Sequence, residues 1–247
     1  MNRSVIYEPR GRAREYAPLA LNLYRGCLNG CRYCFAPTAT FTKRGRFHDP
    51  AYIRPRPEIL AALEEQARRM AGDQRQILLS FTSDPYQPLE KEARITRRAL
   101  EILMAHHLTV TILTKGGGWG LDRDRDLLSM TPGNAWGVTL THDDPLVSFK
   151  WEPKAALPLN RIGSLYFAKK FGLKTWVSFE PVIDPEAAYR LLEATHEFVD
   201  LYKVGKLNYH PLAREIDWQR FKGEMEERLT RFGKPYYLER DLLEAAA

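Results

Sequence analysis

Short apolar runs alternate along this chain with stretches in which apolar positions return every three or four residues. The runs "ALNLY" (20–24), "QILLSFT" (76–82), "LTVTILT" (108–114), "AWGVTLT" (135–141), "KTWVSFEPV" (174–182) and "VDLYKVG" (199–205) read as strands. They are rich in β-branched and aromatic residues and too short for buried helices. In "PEILAALEEQARRMA" (57–71), Ile59, Leu60, Leu63, Ala67 and Met70 fall on one helical stripe, with Pro57 near its start. Helices are likewise predicted over 94–107, 159–172, 185–197 and 217–233. Gly172 stops the helix over 159–172, and Pro185 opens the next at its first turn.

Strands alternating with helices predict parallel βαβ units. About six units predict an α/β fold, a partial (β/α)6-type barrel of parallel strands with outer helices rather than a full eightfold ring. Chemistry in such barrels lies where strands end, and polar residues stand there: Arg25, Ser83, Asp84, Thr114, Lys115, Thr141, His142, Glu180 and Lys206. The expected organisation is a basic N-terminal extension (1–17), the barrel (18–210) and a C-terminal helical segment packed on it (211–247).

A chain of 247 residues with 44% hydrophobic content can bury a real core. No apolar run is long enough to span a membrane. The N-terminus lacks the apolar centre of a signal peptide. Three cysteines within eight positions do not form a disulfide framework, so a cytoplasmic protein without membrane attachment is expected. Charge is uneven: residues 1–56 hold eleven lysines and arginines against three acids. That segment is either a solvated basic tail or a field that draws an anionic substrate, such as nucleic acid, towards the cysteines.

All three cysteines lie in "CLNGCRYC" (27–34). Thiolates at C-x3-C-x2-C spacing reach one compact centre, and soft sulfur selects zinc or iron–sulfur chemistry. Structural zinc wants four protein ligands; His48 could complete Cys27, Cys31 and Cys34, yet no second cysteine pair exists. A [4Fe–4S] cluster on three cysteines leaves one iron free for a small molecule. Inert thiols are the third reading.

The motif, with aromatic Tyr33 before its last cysteine, resembles the signature of the radical S-adenosylmethionine (SAM) superfamily. "NLYRGCLNGCRYCFA" (22–36) resembles the branch related to spore photoproduct lyase, as do "SFTSDPYQPLE" (80–90), "LTKGGGWGLDRDRDLL" (113–128), "FKWEPKAALPLNRI" (149–162), "VSFEPVIDP" (177–185) and "KVGKLNY" (203–209). The resemblance spans roughly residues 18–210. It implies a [4Fe–4S] cluster and SAM as cofactors, an electron donor such as flavodoxin or ferredoxin, and reductive cleavage of SAM to a 5′-deoxyadenosyl radical that abstracts hydrogen from a substrate.

By that resemblance Cys27, Cys31 and Cys34 hold the cluster, Tyr33 packs near adenine, Ser83 and Asp84 hold the methionine ammonium, and Lys115 contacts the cofactor. The plainer readings are loop packing for Tyr33, a strand-end turn for Ser83–Asp84 and a solvated loop lysine for Lys115. Thr139 and Thr141 alternate on one strand and either touch SAM or fill the barrel. Glu180, an acid in an apolar strand, is a further cofactor-binding candidate and needs a partner, which Lys203 or Lys206 could supply. Glu152 and Arg161 pair to hold a loop or sit on the surface. Gly26 and Gly30 let the cysteine loop turn tightly, and the glycines at 116–118 read as flexible rim. Trp119, Trp136 and Trp151 offer stacking surfaces for a base or pack internally. His106 and His107 are bland.

The lyase of this branch uses a further cysteine near its second strand; here Phe81 stands in that neighbourhood and no fourth cysteine exists. Tyr86, Tyr202 and Tyr209 are the substitute hydrogen-donor candidates. Nucleic acid or a nucleotide leads as substrate, with a small metabolite or a peptide as alternatives. The competing class is a zinc-stabilised, non-catalytic nucleic-acid-binding module.

Overall fold

The computed structural model describes residues 4–246. Ten strands form among them: β1 (Ile6–Tyr7), β2 (Leu19–Leu21), β3 (Tyr24–Arg25), β4 (Arg54–Pro55), β5 (Ile77–Leu79), β6 (Val110–Thr114), β7 (Ala135–Thr139), β8 (Lys174–Val182), β9 (Leu201–Lys206) and β10 (Tyr236–Leu238). Eight make one sheet in the order β1-β2-β5-β6-β7-β8-β9-β10. From β2 to β10 every neighbour pair is parallel; only β1 runs antiparallel, against β2. The six predicted strands are the centre of this sheet. β10 is a seventh parallel strand that the pattern did not predict.

The helices are α1 (Ala36–Ala39), α2 (Arg44–Phe47), α3 (Ile59–Arg69), α4 (Glu90–Ala93), α5 (Ile95–Ala105), α6 (Gly118–Leu128), α7 (Pro145–Trp151), α8 (Pro158–Lys170), α9 (Pro185–Thr195), α10 (Trp218–Arg231) and α11 (Arg240–Ala245). One long helix crosses between each pair of successive parallel strands: α3, α5, α6, α8, α9 and α10 in turn. Their apolar stripes meet the outward side chains of the strands in one large core that includes Leu63, Leu100, Leu103, Leu128, Leu165, Leu192 and Phe221. The result is the expected open barrel of parallel strands with helices outside.

The inner face is filled differently. Tyr16, Ala20, Leu78, Ala135 and Trp176 form a separate small cluster. Gly137 makes room for Trp176, since a Cβ there would lie 2.2 Å from the indole. Tyr16 meets Trp176 edge-on with ring centroids 6.2 Å apart, and Lys203 Nζ donates to the carbonyls of Glu15 and Tyr16 at 2.7 Å each. Ile6 and Tyr7 in the sheet and Tyr16 in the inner plug therefore build this part of the chain into the barrel. Glu15 also accepts from Tyr237 Oη (3.1 Å) and the Arg240 amide (3.0 Å), which ties both ends of the chain together.

Candidate functional site

The excursion from Gly26 to Ile53 leaves the sheet just after β2 and is closed at its base by the antiparallel pair β3–β4. Gly26 and Gly30 adopt left-handed φ values of +73° and +67°. A Cβ on Gly26 would lie 2.6 Å from the Phe47 carbonyl, so the tight turn requires glycine there. The loop is held by neighbours rather than by regular structure. Leu28 N donates to Gln87 Oε1 (2.9 Å), Arg32 N to the Trp151 carbonyl (2.9 Å) and Lys154 N to the Asn29 carbonyl (3.2 Å). Arg44 reaches back across it, donating to the carbonyls of Cys31 (3.3 Å), Arg32 (3.2 Å) and Cys34 (2.7 Å).

Cys27, Cys31 and Cys34 open on one cavity of about 480 Å³ at the C-terminal ends of the strands. Its walls include Ser80, Ser83, Asp84 and Lys115 after β5 and β6, Thr139 on β7, Ser178 and Glu180 on β8, and Lys206 on β9. All three cysteines are free thiols. Burial pushes them up, Cys31 to about 12 and Cys27 well above the ordinary thiol value; Lys115 opposes this at Cys31 and Cys34. Three thiolates so enclosed are stable only when positive charge sits among them, as a metal centre supplies.

Among the described residues no three His, Cys, Asp or Glu side chains converge on a single metal-ion position. His48 is not among the residues that line the thiol cavity; its Nδ1 is engaged with the Cys27 carbonyl at 2.8 Å, and its Nε2 is buried without a hydrogen-bond partner. Three soft donors spread around one cavity fit a cluster wider than an ion.

The Asp84 carboxylate lies on the cavity wall and accepts four hydrogen bonds from the protein. Oδ1 takes them from the Tyr86 amide (2.8 Å) and Thr114 Oγ1 (2.6 Å), Oδ2 from Asn29 Nδ2 (2.8 Å) and the Lys115 amide (2.7 Å). It stitches the cysteine loop to the ends of β5 and β6. Ser83 lies beside it with Oγ 3.1 Å from Ser80 Oγ. Lys115 is a wall residue, its Nζ 5.7 Å from the Tyr33 ring centroid.

Tyr33 lines the cavity and its hydroxyl donates to Glu152. Glu152 and Arg161 are both buried and form an ion pair at 2.6 Å, not a surface one. Burial alone would raise the Glu152 carboxyl, yet Arg161 and Lys115 hold it below the usual glutamate value. Arg161 also donates to the carbonyls of Ala156 (2.7 Å) and Thr139 (2.9 Å), so one guanidinium fixes the Tyr33 partner and the end of β7.

Several expectations are corrected. Thr139 is on the wall, but Thr141 lies beyond the end of β7, buried and outside the lining. Glu180 does not pair with Lys203 or Lys206: its partner is Glu239, while Lys203 is spent on backbone carbonyls. Gly116 and Gly117 are packed rather than flexible; a Cβ on Gly116 would sit 2.5 Å from the Tyr86 carbonyl, and one on Gly117 1.9 Å from Asn160 Oδ1, while Gly118 has room beside it. Trp136 is fully buried with Nε1 bonded to Ser164, Trp119 packs on Tyr86, and Trp151 on Tyr33, His142 and His210; none lines the cavity. Of the three candidate tyrosines, Tyr86 is bonded to Asp124 and Tyr202 to Thr195 inside the core; only Tyr209 lines the cavity. Sequence reasoning passed over Tyr16, Arg10 and Phe35, which join Phe81 on the wall, the two phenylalanine rings 5.1 Å apart. No local signal marks them, because the fold alone brings residues 10–16 across the barrel mouth.

A family model described as the Radical SAM superfamily matches residues 21–199. An uncharacterised protein of Mycobacterium tuberculosis is 28% identical over 169 residues, 66% of this chain and 49% of that protein. The chain thus spans about half the length of its mycobacterial relatives. An uncharacterised protein of Methanocaldococcus jannaschii is 25% identical over 195 residues, 78% of this chain and 71% of the other. Among solved structures, a spore photoproduct lyase variant with bound AdoMet and dinucleoside spore photoproduct superposes with a TM-score of 0.69 at 14% identity, covering 92% of this chain and 78% of that one. Streptococcus suis SuiB bound to S-adenosylmethionine gives 0.64 at 15% identity, covering 92% and 48%. At these identities the likeness is one of fold.

Proposed function

Since this chain belongs to the radical SAM superfamily, whose cofactors are a [4Fe–4S] cluster and SAM, we propose that the cavity holds both and performs hydrogen abstraction on a nucleic acid or nucleotide. The observation that carries this reading is the opening of three cysteine thiols, two of them buried, onto one cavity at the C-terminal ends of parallel strands, with no histidine among the described residues that line it. When bound, the cluster and SAM supply a 5′-deoxyadenosyl radical.

The chain's own residues do the rest. Cys27, Cys31 and Cys34 hold the cluster, and Arg44 and His48 fix the carbonyls of their loop. Tyr33, Ser83, Lys115 and Thr139 offer SAM an aromatic face, a hydroxyl, an ammonium and a strand-end hydroxyl from one side. A lysine facing a carboxylate in an enclosed cleft is a strong charge-assisted contact. Asp84 acts behind them as the group that sets the Lys115 backbone against the cysteine loop. The enclosure excludes water from the reactive space. An external electron donor of the flavodoxin or ferredoxin kind serves the thiol end.

The nucleotide part of the reading rests on the basic excess of 1–56, from which Arg10 lines the cavity and Arg44 crosses the cysteine loop, and on the aromatic wall of Tyr16, Phe35 and Phe81, which suits a base. The fold neighbour crystallised with a dinucleoside supports it by analogy.

Anaerobic reconstitution tests the first step. The protein should take up about four irons per chain and, once reduced, release 5′-deoxyadenosine from SAM. Cys31→Ala should abolish both. A mutant that still turns over, or a colourless protein with one zinc, would remove the cluster assignment and favour the zinc-stabilised module.

A further inference from the structure

We propose that Glu180 and Glu239 form a carboxyl pair that shares one proton at neutral pH, on the β8–β10 side of the cavity, and that Glu180 there accepts a hydrogen bond from an N–H or O–H group of the substrate. This rests on the reading of the cavity as the cofactor and substrate chamber.

The sheet order places the pair. The thiol loop follows β2, and Asp84 and Lys115 follow β5 and β6. Glu180 lies on β8 and Glu239 directly after β10, towards the opposite edge of the same sheet. Glu180 shares the inward face of β8 with Trp176 and Ser178, and lines the cavity with Ser178 and Lys206. Glu239 stands behind it, 5% exposed, its amide donating to the Val204 carbonyl at 2.9 Å.

The two side chains meet over Gly205. A Cβ there would lie 2.7 Å from Glu239 Oε2 and 3.0 Å from Glu180 Cγ, so glycine opens the space they share. They are hydrogen-bonded to each other. Two carboxylates in hydrogen-bond contact cannot both ionise. Burial first, then the neighbouring acids, raises Glu180; burial first also raises Glu239. A further sign is that Glu239 Oε1 is buried and has no hydrogen-bond partner. An anionic carboxylate left so would be costly; one member of a proton-sharing pair is not.

The charged groups around the pair leave it without a compensating salt bridge. Lys203 of β9 is the nearest cation, but its ammonium is spent on the Glu15 and Tyr16 carbonyls. Lys206, also on β9, lies over Trp218 at 5.7 Å. Glu15 of the N-terminal segment and Asp241 of α11 add negative charge, and Tyr237 of β10 lies above Lys203. The pair therefore keeps one proton and carries one negative charge in place of two. A single charge spread over two carboxyl groups leaves acceptor oxygens facing the cavity, which suits an N–H or O–H donor of the kind found on a nucleobase or a sugar hydroxyl.

Infrared spectroscopy of the reconstituted full chain, carrying isotope-labelled glutamate carboxyls, tests this directly. A protonated carboxyl band is expected at neutral pH. Glu180→Gln and Glu239→Gln should each shift it. Acetamide, an N–H donor, should move the wild-type band and leave the Glu180→Gln spectrum unchanged. No protonated band, a band indifferent to both substitutions, or a wild-type band indifferent to acetamide would overturn the proposal. Iron content and 5′-deoxyadenosine release of the same wild-type samples separate its failure from failure of the cofactor reading. The infrared bands report the acid pair whether or not the thiol end is loaded.

Discussion

Arg161 shows how one buried cation can organise a site it does not line. Its guanidinium faces Glu152 at 2.6 Å, both side chains out of solvent, and Glu152 in turn takes the Tyr33 hydroxyl. Removing one member of such a pair strands a charge in a poorly polar interior, which costs about 3–5 kcal/mol, while replacing both by apolar groups costs far less. Arg161→Met is therefore expected to lower stability by that amount in anaerobic chemical denaturation, and Glu152→Leu added to it to restore most of the loss. Equal destabilisation in the single and double variants would mean the pair is not what holds Tyr33 in place. The sequence placed both residues in one segment and could not choose between a buried and a surface pair, because burial depends on α7 and α8 packing over the thiol loop. Asp84 shows the same limit. A carboxylate at a strand end reads equally as a ligand or as a turn, and only the fold brings Asn29, Thr114 and the Lys115 amide onto it.

The central strands and their crossover helices were legible because each carries its own period, apolar runs inside and one stripe outside. α6 was visible only through family resemblance. Its inward positions include Asp124, fully buried among Arg97, Arg123 and Tyr86, so polar contacts replace the apolar stripe that periodicity looks for. β10 was missed altogether. Three residues, two of them exposed tyrosines, carry no strand signal; they become a strand because β9 offers a parallel edge. With β10 went Glu239, and with Glu239 the partner of Glu180. This element has a measurable consequence. A carboxyl whose folded value is raised binds more protons folded than unfolded, so stability falls as pH rises from the usual glutamate value of 4.5 towards neutrality. Glu239→Gln should flatten that decline when denaturation midpoints are compared across the range. An unchanged slope would place the shared proton elsewhere.

Across the whole molecule, the sequence located the basic excess but not its division of labour. Arg44 is committed to three carbonyls of the thiol loop, so its charge serves the loop's shape as much as any field. The guanidinium groups of Arg46 and Arg54 lie over the Tyr52 ring, 4.9 and 5.9 Å from its centroid, and Lys43 is exposed. Arg10 and Lys206 line the cavity itself. If an oligonucleotide crosses this surface, each phosphate contact releases counterions and contributes roughly 0.7–0.9 to the slope of log affinity against log salt. Replacing Lys43 and Arg46 by glutamine, with Arg44 left in place, should lower that slope by up to about 1.5 while iron content stays at the wild-type level. Retention of the full slope would leave the basic segment without a nucleic-acid role. The cavity would then be the place to look for a smaller, uncharged substrate, since the aromatic wall and the Glu180 end need no phosphate to bind one.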